Sequence, residues 1–296
     1  MSAEERSNKL YDGVTPKFGI LVDGKNYIVK YTYGNKSIVY SEYVASRFIH
    51  SLGVPCQKVW LGYYGKKPAV IIEDFTDEQN KLVKYKSTKQ SSEDTNIQGK
   101  EYTYLDVLYM IKQHTKMNPA LKKYAIDRFW QMFVCDALLG NYDRHKGNWG
   151  YLATEKGYIF SPLFDNGGCL FPRLDSMLDD FCKNERKILE ECLDKPTSKF
   201  AYDDYSCNDK SVKERYYSYK QLIGLINEPL LFSHIKRLQK MGINAIAKKI
   251  IKITQILPME YARFYQMVVV MRYLYLFENI PKKDVYVIAR EVLKTT

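Results

Sequence analysis

Apolar and polar positions alternate along the first quarter of the chain in the way that favours β-strands. The stretch KFGILVDGKNYIVKY, which begins at Lys17, holds two such runs joined at residues 23–26, where an Asp-Gly pair favours a tight hairpin. A second hairpin is predicted around a reversal at residues 65–68. Between the hairpins, residues 37–52 carry apolar side chains at helical spacing, and Gly53 ends the pattern. The predicted order is therefore two strands, one helix and further strands.

In the second part of the chain, the apolar residues recur at the spacing of an α-helix. Residues 120–140, ALKKYAIDRFWQMFVCDALLG, place apolar side chains on one wide helical face, and the final glycine ends the helix. Two short apolar strands are expected directly after this helix, at 149–152 and 157–160. Further helices are predicted, most of them preceded by a proline, at 215–226, 230–254, 259–278 and 282–294.

Residues 78–100 interrupt these patterns. They are polar, rich in Lys, Ser and Gln, and show no convincing period, which predicts an exposed insertion. Together the elements predict an α+β protein with two lobes. The small N-lobe, residues 1–76, is rich in strands and holds one helix, and the larger C-lobe, residues 77–296, is mostly helical.

The formal net charge of +11 bears on the choice of partners. It favours anionic partners such as nucleotides, nucleic acid, acidic lipid or acidic proteins, without choosing among them. No run of 18 apolar residues occurs, so no transmembrane segment is expected. The polar, acid-containing start differs from a secretory signal peptide, and we therefore expect a cytoplasmic protein.

Side chains that can take part in catalysis or bind a metal ion concentrate in two loops that flank the short strands. The first loop, residues 139–152, contains GNYDRHKGN, and the second loop, residues 163–168, reads LFDNGG. Phosphoryl transfer needs a carboxylate that positions the attacking hydroxyl, and oxygen ligands for magnesium close to it. Asp143 would supply the carboxylate, and Asn148 and Asp165 would supply the ligands. Helix capping does not need two carboxylates around a hairpin, so we interpret these loops as a phosphoryl-transfer site.

The N-lobe offers groups for the phosphates of a nucleotide. Lys30 ends the strand YIVK and could reach the α- and β-phosphates. Glu42 lies in the first turns of the following helix, where an ion pair would hold the lysine ammonium group in place. A lysine at a strand end is usually a solvated surface charge, but beside Glu42 and the two loops a phosphate-binding role is the better interpretation.

This combination resembles the HipA-like bacterial protein kinases over nearly the whole chain. The segments that carry the resemblance are DGVTPKFGIL, YIVKY, the Glu42 helix ending in SLGVP, IIEDF, GNYDRHKGN and LFDNGG. The resemblance implies a two-lobed, protein-kinase-like fold and the use of ATP with Mg²⁺. It also implies phosphorylation of serine or threonine in a protein substrate that the sequence does not identify, and autophosphorylation.

The resemblance assigns expected roles to individual residues. Asp143 would be the catalytic base, and His145 would support its loop. The other implied roles are magnesium binding by Asn148 and Asp165, phosphate binding by Lys30 with Glu42, covering of the phosphates by a segment that includes Thr15 and Lys17, adenine binding by the backbone of Glu73 and Phe75, and ribose binding by Asp77.

Three features depart from the patterns of eukaryotic protein kinases. No GxGxxG precedes Lys30, so residues 13–17 would have to cover the phosphates instead. The order Asp143-Arg144-His145 inverts His-Arg-Asp, and Asn166 replaces the phenylalanine of Asp-Phe-Gly. The sequence therefore gives no support for an activation switch based on that phenylalanine.

Other classes of function stay open. The order Asp-Arg-His-x-x-Asn is similar to the catalytic loop of phosphatidylinositol kinases, and a basic protein would suit an acidic membrane. A basic nucleic-acid-binding module could use the 26 tyrosines for stacking, but many fall at helical core spacing, so no stable nucleic-acid complex is expected. A pseudokinase, a kinase-like scaffold without catalytic activity, is disfavoured because all the catalytic polar groups are present. One small HipA-like kinase is translocated into host cells, and the resemblance to it makes secretion or translocation an alternative to a cytoplasmic location.

Overall fold

The computed structural model describes Tyr11 and residues 15–88, 103–200 and 217–296. The N-lobe holds a four-stranded antiparallel sheet of order β1-β2-β4-β3 with one helix packed on it. Its elements, in chain order, are β1 (Lys17–Val22), β2 (Lys25–Tyr31), α1 (Lys36–Ser51), β3 (Val59–Tyr64) and β4 (Lys67–Glu73). The structure thus shows the predicted order of two strands, one helix and two more strands.

The first hairpin turns on two residues. Asp23 and Gly24 both have positive φ values, 48° and 74°. Such a turn matches the twist of the strands it joins, and it needs residues that tolerate left-handed backbone. The turn places Lys17 directly opposite Lys30 across the β1–β2 pair.

One face of this sheet packs against α1. Val70 and Ile72 on β4 and Val44 and Phe48 on α1 are all fully buried in the main core. Side chains alternate between the faces of a strand, so Lys30 lies on the same face as Ile28, which packs against this core. The strand therefore directs the Lys30 side chain towards α1.

A second, three-stranded antiparallel sheet has the order β5-β6-β7. It consists of β5 (Lys81–Lys84), β6 (Gly150–Thr154) and β7 (Gly157–Phe160), and the short helix α2 (Tyr85–Thr88) follows β5. Tyr85 is fully buried and stacks on Trp149 with ring centroids 4.2 Å apart. The exposed insertion predicted at 78–100 therefore does not describe residues 81–88, because a four-residue strand is too short to show a period. Residues 89–100 lie outside the described part of the chain.

Helices form the rest of the C-lobe. In chain order they are α3 (Tyr104–Gln113), α4 (Pro119–Leu139), α5 (Leu178–Lys183), α6 (Glu185–Glu191), α7 (Tyr219–Leu225), α8 (Pro229–Met241), α9 (Ile243–Thr254), α10 (Met259–Leu276) and α11 (Lys282–Thr295). The single helix predicted at 230–254 is two helices, because Gly242 adopts a φ of 78° that helices do not allow. The predicted helix at 215–226 begins at Tyr219, and residues 215–216 lie outside the description.

The centre of the C-lobe is built on α4 and α10. Phe129, Trp130 and Phe133 on α4 and Val269 and Tyr265 on α10 are fully buried. α4 ends at Gly140, whose φ of 62° lets the chain leave the helix and enter the first polar loop. Across the described ranges, none of the helices combines the length and apolar character that a bilayer-spanning segment needs.

Candidate active site

The first polar loop places Asp143 beside Asn148. The Asp143 backbone N–H donates to Asn141 Oδ1 at 2.9 Å, which fixes the start of the loop. Asn148 Nδ2 donates to the Asp143 carbonyl at 2.9 Å and lies 3.4 Å from its carboxylate oxygen Oδ2. Asp143 is partly exposed, whereas Asn148 is buried. The loop therefore presents one accessible carboxylate on a backbone held by the two asparagines.

A buried arginine ties this loop to the second one. Arg144 is fully buried and pairs with Asp136 of α4 through two hydrogen bonds of 2.9 Å. The same guanidinium donates to the carbonyl of Asn148 at 2.8 Å, to the carbonyl of Phe164 at 2.7 Å and to Asn166 Oδ1 at 2.6 Å. Burial alone would lower the pKa of Arg144, but Asp136 outweighs it and raises that pKa above its usual value. Arg144 thus holds both loops against α4 as a permanent cation.

Glycine lets the second loop approach the first. A Cβ atom on Gly168 would lie 2.6 Å from Asp143 Cβ and 2.9 Å from Asn141 Oδ1, distances that no real side chain tolerates. The Tyr142 N–H donates to the Gly168 carbonyl at 3.3 Å. Packing therefore explains the second glycine of LFDNGG, because Gly168 lets the two loops come into contact.

Asp165 reaches the N-lobe from this second loop. Its backbone is in the left-handed region, with φ 56° and ψ 55°. The strained conformation aims the carboxylate at Lys30, whose Nζ donates to Asp165 Oδ1 at 3.0 Å. Burial would raise the pKa of Asp165, but Lys30, and after it Lys17, outweigh burial and lower that pKa. Asp165 is therefore an anion at neutral pH.

Lys30 has a second carboxylate partner. Its Nζ donates to Glu42 Oε2 at 2.9 Å, and the side chain of Lys30 is only 12% exposed. Glu42 Oε1 accepts from Gln57 Nε2 at 2.6 Å, and the same amide group donates to Ser46 Oγ at 3.1 Å. Burial alone would lower the pKa of Lys30, but Glu42 and then Asp165 outweigh it and raise that pKa. The structure thus brings together the lysine and glutamate that the sequence paired.

Lys30 and Asp165 line a cleft of about 1060 Å³ between the two sheets, whereas Glu42, Asp143 and Asn148 lie outside its lining. Six of the predicted residues line it: Lys17, Lys30, Glu73, Phe75, Asp77 and Asp165. Lys17 lies across the sheet from Lys30, and its pKa is lowered by burial and by the charge of Lys30. Like charges placed directly opposite are unfavourable, and here the carboxylates of Glu42 and Asp165 balance the two ammonium groups. The rest of the lining mixes both signs of charge, with Lys25, Lys81 and Lys84 beside Glu73, Asp74, Asp77 and Glu78.

The segment after β4 provides backbone groups at the other side of the cleft. The N–H of Glu73 donates to the Lys58 carbonyl at 3.0 Å, and the N–H of Asp74 donates to the Asn26 carbonyl at 2.9 Å. The Thr76 N–H donates to Asp74 Oδ1 at 2.8 Å. Glu73 could therefore offer a ligand only its carbonyl oxygen, since its amide is already used.

His145 and Thr15 also lie outside the lining of the cleft, whereas Asp77 lines it with a carboxylate that is already hydrogen-bonded. His145 is exposed, and its Nδ1 accepts from the Gly147 N–H at 3.0 Å, so it shapes the first loop from outside. Asp77 is exposed and uses Oδ1 to accept from the N–H groups of Gln79 and Asn80, at 2.8 and 2.7 Å. Of the segment 13–17 expected to cover the phosphates, residues 13–14 lie outside the described part of the chain, Lys17 lines the cleft and Thr15 does not. Competition from its own turn makes Asp77 a poor partner for a ribose.

The donor chemistry of Asn148 and Asp165 fits magnesium. Both offer hard oxygen atoms, which Mg²⁺ prefers, and Mg²⁺ usually takes only one or two protein ligands beside substrate phosphates. Within the described residues, no group of three or more His, Cys, Asp or Glu side chains could hold a metal ion by itself. A pre-formed protein cage is therefore absent from this part of the chain, and a metal here would need phosphate oxygens as well.

Three residues of the site were not predicted from the sequence: Asp136, Gln57, and Arg144 in its structural role. Asp136 sits in the apolar run FVCDALL, and an isolated carboxylate on a buried helical face was the available signal. A buried acid needs a buried partner, and a search for one would have reached the arginine of the following loop. Gln57 carries no comparable signal, because its contact with Glu42 depends on how β3 and α1 meet.

The sequence matches a domain family and is similar to a known protein kinase. The family model described as the HipA-like C-terminal domain matches residues 11–172, more than half of the chain. The serine/threonine-protein kinase CtkA of Helicobacter pylori strain J99 is 42% identical over 141 residues. That alignment covers 47% of this chain and 42% of the relative, so the matched sequence spans less than half of the curated protein's length.

Solved structures give the same assignment for the fold. The crystal structure of a Helicobacter pylori proinflammatory kinase CtkA superposes with a TM-score of 0.77 at 27% identity, covering 98% of this chain and 96% of that one. A chain from the Shewanella oneidensis MR-1 complex of HipA, HipB and operator DNA gives a TM-score of 0.59 at 19% identity, covering 97% of this chain and 69% of that one, and shows likeness of fold alone. The predicted α+β, two-lobed kinase-like fold is confirmed, and the chain belongs to the HipA-like C-terminal domain family.

Proposed function

We propose that this protein is a Mg-ATP-dependent serine/threonine protein kinase that also phosphorylates itself. The observation that supports the proposal most strongly is the contact of Lys30 with both Glu42, at 2.9 Å, and Asp165, at 3.0 Å, at the cleft. Protein kinases place around the phosphates of ATP a lysine that is paired with a glutamate of a helix and an aspartate that binds Mg²⁺. The likeness to kinase CtkA supports the same activity.

The cleft would hold ATP along its length. The carbonyl of Glu73 and the backbone N–H of Phe75 would bind the edge of adenine, and Ile28, Ile72 and Leu82 would pack on its faces. The phosphates would lie between Lys17 and Lys30, which lie opposite each other across the β1–β2 pair. β1 and β2 would thereby replace the glycine-rich loop that the sequence lacks.

The polar loops would carry out the transfer. Asn148 and Asp165 would hold Mg²⁺ against the phosphates, and the ion would neutralise the charge that develops during transfer. Asp143 would accept a hydrogen bond from the serine or threonine hydroxyl and orient it for attack on the γ-phosphate. Arg144 keeps the Asp143 loop and the Asp165 loop at a fixed separation, so both act on the same phosphate group.

The roles of the two aspartates are tested by separating transfer from binding. Asp143→Ala should lower phosphate transfer by about 100-fold or more, the scale of a lost general base, while leaving Mg-ATP affinity nearly unchanged. Asp165→Asn should weaken both, because a metal ligand acts on binding and on rate. Transfer is measured with γ-labelled ATP and affinity by calorimetry with and without Mg²⁺. Asp179→Ala, which removes an exposed carboxylate from α5, is the control.

Each assigned role has its own refuting result. If Asp143→Ala retains more than a few per cent of the wild-type transfer rate, Asp143 is not the catalytic base. If Asp165→Asn binds Mg-ATP as the wild-type protein does, the metal lies elsewhere. Absence of transfer by the wild-type protein itself, with Mg-ATP bound, would contradict the proposed activity.

Action outside the producing cell is a further part of the proposal, and it is supported only by the likeness to a proinflammatory kinase. Detection of the chain in the medium of intact, growing cells would test it. Its retention inside the cells under those conditions would contradict export without affecting the proposed kinase activity.

A further inference from the structure

We infer that Asp175 is a positioning residue that holds the lysine-binding helix α1 in its active position; the inference rests on the proposed function. Asp175 lies in a short 3-10 helix, Leu174–Met177, that follows the second polar loop. Its Oδ2 accepts from the backbone N–H of Ser37 at 2.6 Å and lies 2.5 Å from the Ser37 hydroxyl. Its Oδ1 accepts from the hydroxyl of Tyr261 on α10.

The start of α1 lacks an anion of its own. Its first turn contains no acidic residue, and the side chain of Asn35, at the N-cap position, makes no capping hydrogen bond. The free N–H groups and the positive end of the helix dipole favour a negative group at this point. Asp175 supplies that group from 138 residues further along the chain.

Additional contacts make this a joint between the two lobes. Asn35 Nδ2 donates to the carbonyl of Pro172 at 2.7 Å, and the Asp175 N–H donates back to Ser37 Oγ at 3.3 Å. The rings of Tyr40 on α1 and Tyr261 on α10 meet with centroids 4.9 Å apart. The chain after the second loop is thus attached to α1 on one side and to α10 on the other.

The joint lies close to the phosphate-binding pair. Ser37 and Glu42 are five residues apart on α1, about one and a half turns of helix. Movement of this end of the helix would withdraw Glu42 from Lys30. The other end of α1 is held separately, because Lys249 Nζ donates to the Ser51 carbonyl at 2.8 Å. Asp175 therefore controls the end that matters for the lysine.

Protein kinases are regulated through the position of the helix that carries this glutamate, often by phosphate added to the segment that follows the metal loop. Here a carboxylate built into that segment occupies the N-terminus of α1 without modification. We therefore expect α1 to be held in place in the unphosphorylated protein, with no requirement for phosphorylation in the segment 169–177.

Loss of the joint should give a specific kinetic signature. If only a fraction of molecules holds α1 in place, the apparent ATP affinity falls by that fraction, and saturating ATP restores part of the competent state. Asp175→Asn should therefore raise the KM for ATP about tenfold, the scale of lost charge-assisted hydrogen bonds, with a smaller fall in kcat. Partial unfolding would do the reverse, because it lowers kcat in proportion and leaves KM unchanged.

Tyr261→Phe is a milder second variant, since it removes one hydroxyl and keeps the ring contact with Tyr40. The matched control is Tyr273→Phe, on the same helix α10. The Tyr273 hydroxyl also donates to a carboxylate, that of Glu278 at 2.8 Å, and this hydrogen bond lies within residues 273–278. Tyr261→Phe should raise the KM for ATP by about threefold, and Tyr273→Phe should leave it unchanged, because only the first hydroxyl supports Asp175.

The experiment combines steady-state kinetics with hydrogen exchange of the backbone amides in residues 36–43. Asp175→Asn should accelerate exchange there, whether or not the protein transfers phosphate. The inference is overturned if an active wild-type protein and Asp175→Asn share the same KM for ATP, or if Tyr273→Phe raises KM as much as Tyr261→Phe does. If the wild-type protein transfers no phosphate, the proposed function fails, and unchanged exchange in residues 36–43 overturns the inference independently.

Discussion

The buried pair of Asp136 and Arg144 offers a sharp test of how the two polar loops are held. Asp136→Asn keeps the shape of the side chain and removes its charge. Both members of the pair are at most 1% exposed, and they meet through two hydrogen bonds of 2.9 Å. The substitution leaves the guanidinium buried with only neutral partners: the carbonyls of Asn148 and Phe164 and the amide oxygen of Asn166.

The expected loss of stability follows from the burial. Removing one partner of a buried ion pair destabilises a protein by about 3–5 kcal/mol, and the three remaining acceptors favour a loss of about 3 kcal/mol here. For a protein of this size, each kcal/mol lowers the midpoint of thermal unfolding by about 2–4 °C, so the midpoint should fall by about 6–12 °C. The control is Glu191→Gln, which breaks the exposed ion pair with Lys195 and should change the midpoint very little.

Thermal and urea unfolding, followed by circular dichroism, measure the change. The double variant Asp136→Leu/Arg144→Met should not regain the lost stability, because it removes the unpaired charge but leaves the carbonyls of Asn148 and Phe164 and the amide oxygen of Asn166 without their donor. It should not regain phosphate transfer, since nothing then ties the two loops together. A fall in the midpoint no larger than that of Glu191→Gln, or an active double variant, would refute this account of Arg144.

Three further results are expected. In a double-mutant cycle on the initial rate, Lys30→Met and Glu42→Gln should be non-additive, with the double variant little worse than the worse single one; additive losses would show that the two side chains do not act together. Gly168→Ala should reduce phosphate transfer strongly, because the added Cβ would lie 2.6 Å from Asp143 Cβ. Gly224→Ala, which has open space around it, should not reduce transfer, and equal activity of the two variants would contradict the packing of the loops. Burial and two neighbouring lysines lower the pKa of His114 below its usual 6.5, so the folded protein binds fewer protons and loses stability as the pH falls through that value. His114→Gln should flatten the dependence of the urea midpoint between about pH 7 and 5, and an unchanged slope would exclude this source.

The parts of the site that the sequence predicted are those encoded by short spacings. Asp143 and Asn148 lie five residues apart in one loop, and the structure joins them directly. Lys30 and Glu42 are 12 residues apart, at the end of a strand and in the first turns of the next helix, so a simple connection brings them together. In both cases local geometry decides the contact.

Contacts between distant segments were not predictable in this way. Ser37 and Asp175 are separated by 138 residues, and their pairing depends on how α1 meets the C-lobe. Arg144 lies in a polar loop, where an arginine is usually solvated, and only the isolated acid Asp136 in the preceding apolar run indicates a buried partner. Asp77 shows the converse: a carboxylate near the cleft is consumed by hydrogen bonds within its own turn.

The measurement that tests the central claim most directly is transfer of labelled γ-phosphate from ATP by the wild-type protein to two acceptors offered separately. One is a generic basic protein, and the other is vesicles that contain phosphatidylinositol; each is incubated with Mg²⁺ or with EDTA. The proposed function predicts Mg²⁺-dependent label on serine or threonine of the protein acceptor and of the enzyme itself, lost in Asp143→Ala. Label in the lipid with none in either protein, or transfer that persists in EDTA, would contradict it.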